Sequence, residues 1–223
     1  MSEYKSIKGK TIQYLGTDPS DTGAEGQVWY NSAAEAFKSV VVGEAWSSGA
    51  PLSTSRGFIG GYGTQTAGLA FGGSSPYVAA TEEYNGSGWS NGGNLNTTRS
   101  PYGKGGFGTQ TAGVAVGGYT SPGTNTNSTE QYDGTSWTAS TNYPASYLGI
   151  GGAGTQTTGL AFGGALTNPY PGQTTTNKFD GTTWTSTGSL NTARHNIGAA
   201  GTQTAGLGFG GFPNGPASAS NAT

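Results

Sequence analysis

Cysteine is missing from all 223 residues. That excludes a disulfide-stapled fold, thiolate metal sites and thiol catalysis together. Histidine is nearly missing: His195 stands alone, so acid–base machinery and metal sites built on several imidazoles are excluded as well. Charge is sparse, at 9% of residues against roughly a quarter in an ordinary globular chain. The net charge is −2, and the basic residues are scattered apart from a mild cluster at Lys5, Lys8 and Lys10. Without a basic stripe to neutralise a run of phosphates, nucleic acid is not an expected partner. No apolar run approaches the roughly 18 residues of a membrane-spanning helix, so membrane insertion is not expected. The N-terminal stretch MSEYKSIKGKTIQYLG also lacks the apolar core of a secretory signal.

What the chain has in abundance is glycine, with 43 residues, beside 10 prolines. Such content approaches that of low-complexity chains. Disordered chains, however, combine high charge with few aromatics. This one has little charge and carries 5 Trp, 12 Tyr and 8 Phe. Many short strands joined by tight turns fit that combination.

A repeat organises those strands. GTQTAGLAFGG begins at Gly63, GTQTAGVAVGG at Gly108, GTQTTGLAFGG at Gly154 and GTQTAGLGFGG at Gly201, in steps of 45, 46 and 47 residues. A second marker runs in phase: EEYNGSGW ends at Trp89, EQYDGTSW at Trp137, NKFDGTTW at Trp184, and a weaker copy, VVVGEAW, at Trp46. A third is an arginine ten residues after the tryptophan, at Arg56, Arg99 and Arg194, with Tyr147 in its place in the third unit. Each unit reads as four strands: a glycine-rich one after the arginine, then AGLAFGG, then TEEYN, then one carrying the tryptophan. In the second strand Leu69 and Phe71 share one face and Gly68 and Ala70 the other. The small face suits tight packing against a neighbouring sheet. Asn85-Gly86, Asp133-Gly134 and Asp180-Gly181 predict type I′ hairpin turns between strands three and four. One four-stranded sheet per repeat is the period of a propeller blade.

The di-glycine closing the second strand, the Tyr-Asn/Asp-Gly turn and the tryptophan together resemble the Kelch repeat over residues 37–211. The resemblance implies an all-β, Kelch-type β-propeller of four-stranded blades. Thr-Gln-Thr departs from it at the turn between strands one and two. Another repetitive β architecture, a β-helix or fibre solenoid, is the alternative, although solenoid coils have shorter periods. Residues 37–48 would supply the third and fourth strands of one blade and residues 192–211 the first and second. The two halves would then close a ring of about four blades; the rival expectation is a chain cut short. Residues 1–36 stand outside the repeat as a leader, and 212–223 form a loop-like tail.

The leader, in GQVWYN from Gly26 and the following Phe37-Lys38, resembles N-terminal segments of phage tail and fibre proteins. The Gly-, Thr- and Ser-rich units are similar to those of phage structural proteins. This second resemblance implies an attachment segment docking on other virion subunits, in several copies, with an outward-facing propeller.

Enzymatic readings fare less well. No GxSxG elbow accompanies His195, which is expected at the surface or between blades. Glu82, Glu83, Glu130, Asp133 and Asp180 sit at repeat-equivalent places, so structural roles explain them. Galactose-oxidase-like Kelch enzymes hold copper through Tyr and His ligands and a Tyr-Cys crosslink, for which the chain lacks the residues; no cofactor is expected. Sialidase-like propellers clamp a carboxylate with three arginines. Arg56, Arg99 and Arg194 number three, but one repeat position in separate blades points them alike, toward backbone carbonyls between blades. The sialidase Asp-box pattern also fails, because Asp133 and Gly134 are adjacent.

The loops after each di-glycine vary most and, in Kelch propellers, gather on one face. Each holds an aromatic: Tyr77, Tyr119, Tyr170 and Phe212, accompanied by Asn168 and Asn214. Aromatic faces backed by Asn, Ser and Thr suit sugar rings, so these six residues are the candidate binding site for a glycan or protein; the alternative is that Pro and Tyr order long loops. Trp89, Trp137 and Trp184 are expected in the core, and Trp46 is a structural marker of the repeat. The resulting expectation is a non-enzymatic virion-associated adhesin of a tail or fibre, contacting a host surface glycan or protein. A structural or decoration protein and a glycan-processing enzyme are the alternatives.

Overall fold

The computed structural model describes residues 13–15, 28–39, 49–121, 123–167 and 170–213, which are strands, turns and loops with no helix among them. The chain divides into two compact units, residues 1–48 and 49–223.

The N-terminal unit holds a three-stranded sheet of β1 (Gln13–Leu15), β2 (Val28–Asn31) and β3 (Ala36–Ser39). β1 pairs with β2 in parallel, and β2 with β3 antiparallel. Asn31 shapes the turn between β2 and β3, its Oδ1 accepting from the Ala33 and Ala34 N–H groups at 3.0 and 2.9 Å. The expected propeller boundary at residue 37 is therefore corrected. Residues 36–39 pair with the leader strand, because the turn-forming Asn31 folds them back on it. Residues 40–48, with Trp46 and most of the expected half-blade, lie outside the described residues.

The repeat unit follows the period. Its first sheet runs β4 (Gly60–Thr64), β5 (Ala67–Phe71), β6 (Thr81–Tyr84), β7 (Trp89–Asn91). The second contains β8 (Gly106–Thr109) and β9 (Ala112–Val116), a small hairpin of β10 (Tyr119–Thr120) and β11 (Thr124–Asn125) in its loop, then β12 (Thr129–Tyr132) and β13 (Trp137–Ser140). The third is β14 (Gly151–Thr155), β15 (Thr158–Phe162), β16 (Thr176–Phe179), β17 (Trp184–Ser186). β18 (Gly198–Gly201) and β19 (Gly206–Phe209) form a two-stranded sheet. Within each sheet, successive strands pair antiparallel in sequence order. The first strands β4, β8, β14 and β18 lie side by side in turn. Meandering sheets joined along their first strands make a β-propeller-like architecture.

The core lies between sheets. Leu69 and Phe71 of the first sheet meet Leu95 of the following connection and Ala115, Tyr132 and Trp137 of the second sheet. Phe107, Val114 and Val116 meet Tyr143, Tyr147, Ile150, Ala161 and Phe179. Ala153 and Phe162 meet Ile197. The small face of the second strand is what admits these neighbours. A Cβ on Gly113 would stand 2.1 Å from the Tyr62 hydroxyl, and one on Gly159 2.0 Å from Cε2 of Phe107. An aromatic on each of those first strands thus beds on a glycine of the next sheet.

Three polar joints repeat as well. The Thr-Gln-Thr turn, unexplained by sequence, is one of them. Gln110 Nε2 donates to the carbonyls of Gly68 and Tyr84 at 3.0 and 2.8 Å, Gln156 to those of Gly113 and Tyr132 at 3.2 and 2.8 Å, and Gln203 to those of Gly159 and Phe179 at 3.0 and 2.9 Å. Each glutamine fastens its sheet to strands two and three of the sheet before. The di-glycine is the second joint: the N–H groups of Gly73, Gly118 and Gly164 donate to the carbonyls of Arg99, Tyr147 and Arg194. The third is ionic. Arg56 pairs with Glu82 and Arg99 with Glu130, with all four side chains buried.

One turn differs from expectation. Tyr84 pairs with Trp89, so four residues intervene rather than the two of a type I′ hairpin. Only the glycines Gly86, Gly134 and Gly181 have positive φ there. The Asn85 side chain takes over: its Oδ1 accepts from the Ser87 and Gly88 N–H groups, both at 2.9 Å. Asp133 and Asp180 do the same in their turns. A side-chain acceptor closes the loop without forcing a left-handed Asn or Asp.

Candidate functional site

After each di-glycine the chain leaves strand two and bridges at once to the segment preceding strand one. The bridges are Gly57 to Ser74, Ser100 to Tyr119, Leu148 to Ala165 and His195 to Phe212. Loop and connection therefore share one rim in every sheet.

The second sheet breaks the pattern. From the bridge to the glycine that opens the Thr-Gln-Thr turn its connection, Ser100 to Gly108, is two residues longer than Gly57 to Gly63, Leu148 to Gly154 and His195 to Gly201. The extra chain lies against its neighbours. The Gly149 N–H donates to the Pro101 carbonyl at 2.9 Å, and the Tyr102 N–H to that of Phe58 at 3.3 Å. Lys104 reaches the last sheet, Nζ donating to the Ala199 carbonyl at 2.8 Å, and burial lowers the pKa of its ammonium. These anchors hold Tyr102 at the rim with φ at 55°.

An aromatic cluster forms around it. Tyr102 stacks on Phe58, centroids 4.4 Å apart and planes at 14°. Tyr119 meets Tyr102 edge-on at 5.8 Å, and Tyr77 lies 6.1 Å from Tyr119. Tyr170 belongs to the same group: burial raises its pKa, and the phenols of Tyr119 and Tyr102 add to the shift. Tyr77 is raised by burial and by its neighbours Tyr102, Tyr119 and Tyr170. Raised phenols stay neutral across physiological pH. Tyr77 and Tyr170 thus offer ring faces and un-ionised hydroxyls to the cluster.

Of the six loop residues proposed from sequence, the structure brings together Tyr77, Tyr119 and Tyr170. Phe212 stacks instead on His195, centroids 5.7 Å apart. Asn168 and Asn214 lie outside the described residues. Sequence reading missed Phe58 and Tyr102; aligning SPYGKGG with RGFIGG would have exposed the longer connection that carries Tyr102.

The marker residues are structural. Arg99 is fully buried, its Nη2 3.1 Å from Glu130 Oε1 and its Nη1 donating to the Ser128 carbonyl at 3.3 Å. Arg194 donates to the carbonyls of Thr192 and Gly210. Burial pushes the Glu82 carboxyl up, but the Ser53 N–H and the Arg56 guanidinium outweigh it and hold the pKa below its ordinary value. In the third unit both partners change together: Tyr147 replaces the arginine and Asn177 the glutamate, and Asn177 donates to the Tyr143 hydroxyl at 2.8 Å. Trp137 is buried, packs on Phe71 and Tyr132, and donates to Thr81 Oγ1 at 2.9 Å. Trp89 and Trp184 are only half-buried, so the expectation of core tryptophans is corrected for these two. Each still caps an interior, donating to the carbonyls of Ala50 and Thr141. His195 is buried rather than superficial, and burial lowers its pKa. Among the described residues no group of three or more His, Asp or Glu side chains could hold a metal ion.

Neither a family model nor a curated protein matches the chain. Solved structures do: 131 chains match. One of them, described as the structure of YjhT, is similar over 82% of this chain and 68% of its own, with a TM-score of 0.61 and 12% identity. A likeness at that identity speaks for the fold alone.

Proposed function

We propose that the protein is a non-enzymatic binding module of a phage particle, a tail or fibre adhesin. In this reading the repeats are Kelch-type blades, about four in the ring. Their loop face contacts a host surface glycan or protein, and the N-terminal unit attaches several copies to other virion subunits. One observation carries the binding reading: Tyr77, Tyr119 and Tyr170, from three separate loops, converge with Phe58 and Tyr102 on one rim. Loops that only needed ordering could each pack on their own sheet. The three arginines that a carboxylate clamp would use are engaged below, which supports binding without turnover. The virion setting rests on the resemblance of the leader and of the Gly- and Thr-rich units.

Immunogold electron microscopy of purified particles, with an antibody to the repeat unit, tests the setting. Label at a distal fibre or baseplate tip is expected. Label on the capsid, collar or tail tube would turn the reading to a structural or decoration protein, and no label on any particle would end the virion assignment.

A further inference from the structure

Three aromatics of the cluster sit where the backbone disfavours them. Phe58, Tyr102 and Tyr170 have φ of 51°, 55° and 62°, a left-handed conformation that glycine adopts freely and a bulky residue only at a cost. The repeat puts smaller residues at the position: the equivalents of Phe58 are Gly149 in the third sheet, with φ of 65°, and Asn196 in the fourth, with φ of 53°. Phe58 stays 56% exposed even with Tyr102 stacked on it. Strain of this kind gathers at sites of function.

Among the described residues, the basic groups of the repeat connections are committed elsewhere. Arg56 and Arg99 are buried in pairs with Glu82 and Glu130, Arg194 donates to main-chain carbonyls, and Lys104 donates to the Ala199 carbonyl. The polar groups the cluster presents are phenols that both donate and accept. A pyranose ring matches that chemistry, with an apolar C–H face for an aromatic ring and hydroxyls for the phenols. Among the described residues, an acidic sugar would find Arg56, Arg99 and Lys104 already engaged.

We infer that the Phe58, Tyr77, Tyr102, Tyr119 and Tyr170 cluster binds an uncharged saccharide, with Tyr102 on the longer connection as its central contact. This rests on the reading of the loop face as the binding surface.

Calorimetric titration of the full chain tests it, using neutral malto-, manno- and xylo-oligosaccharides and, as acidic probes, oligogalacturonate and sialyllactose, each at low and high salt. A neutral probe should bind with an affinity indifferent to salt. Tyr102→Gly should weaken it about tenfold or more, with an unchanged or higher melting temperature, because glycine relieves the left-handed backbone. Tyr102→Phe, which keeps the ring, should lose less. Binding only to acidic probes, fading with salt, would overturn the neutral class and leave the face as a binding surface. So would binding to a host protein with no response to any glycan. Loss of affinity accompanied by a lower melting temperature in Tyr102→Gly would assign the ring to packing and overturn the proposal. Particles carrying Tyr77, Tyr119 and Tyr170 all changed to alanine that still adsorb to the host would overturn the loop-face reading itself.

Discussion

Replacing Gln156 with alanine removes two hydrogen bonds that join the third sheet to the second, those to the Gly113 and Tyr132 carbonyls. A net intramolecular hydrogen bond contributes about 1 kcal/mol, so the pair contributes about 2 kcal/mol. Gln156 is half-buried at a turn; water can reach the freed carbonyls, and no further desolvation penalty is expected. In a domain of this size the loss corresponds to a fall of roughly 4–8 °C in melting temperature. The repeat supplies its own control. Gln65 occupies the same turn of the first sheet but is exposed and makes no such bond to a described residue, so Gln65→Ala should change stability by no more than about 0.5 kcal/mol. Differential scanning calorimetry of the two variants, with urea unfolding followed by tryptophan fluorescence, measures both. If Gln65→Ala and Gln156→Ala cost the same, the glutamines act within their own turns and the joint between sheets is refuted.

Trp137→Ala, emptying the space between Phe71 and Tyr132, should cost about 3–5 kcal/mol, and Trp89→Ala clearly less because Trp89 is half-buried; urea midpoints decide. Gly159→Ala drives a Cβ to 2.0 Å from the Phe107 ring and should cost about 1–3 kcal/mol. In combination with Phe107→Ala its added cost should shrink, and strict additivity in the double-mutant cycle would count against the contact. Glu82 is held below the ordinary carboxylate range. The stability it contributes is thus complete above the unfolded value near pH 4.3 and is lost as pH falls through the lowered folded value. Glu82→Gln should be less stable than wild type at pH 7 and lose less on acidification to about pH 3. A parallel fall in both proteins would refute the assignment.

The period, the strand order and the inward second strand were legible because they repeat. Gly63, Gly108, Gly154 and Gly201 recur with the tryptophans in phase, and alternation separated Phe71 from Ala70 without any coordinates. The exchange of Arg–Glu for Tyr147 and Asn177 was half legible: the tyrosine stood out, but Asn177 lies some thirty residues away, where folding sets it against the Tyr143 hydroxyl. The type I′ turns were misjudged because Asn-Gly and Asp-Gly serve two geometries. What chose between them was the Oδ1 of Asn85, Asp133 and Asp180, which caps a wider loop. The strand at Ala36–Ser39 was misassigned because a short apolar run fits any edge, and the Asn31 turn, not its own composition, selects its partner. Phe58 and Tyr102 escaped because both stand outside the variable loops, in a connection where glycine-rich sequence hides a difference of two residues.

Division of labour between repeating and non-repeating residues follows from these joints. A sheet in such an array is stabilised mainly by its neighbours, so the residues at each junction must recur: the glutamine of the turn, the di-glycine, the glycine that beds the preceding aromatic, the Arg–Glu pair or its substitute. A residue that does not recur is free of that duty. Tyr77, Tyr102, Tyr119 and Tyr170 do not recur as a set, and all lie on the rim away from the Thr-Gln-Thr turns. Tyr102 goes further. Its connection is lengthened, its backbone is left-handed, and the lysine beside it is committed to holding the loop against the last sheet. A structural spacer in a left-handed backbone would be served by glycine, as Gly149 serves the connection of the third sheet with φ of 65°. Stacking on Phe58 and the edge contact with Tyr119 offset part of the cost of keeping a tyrosine there; we assign the rest to a ligand, and for that reason Tyr102→Gly is the substitution that separates a binding residue from a packing one.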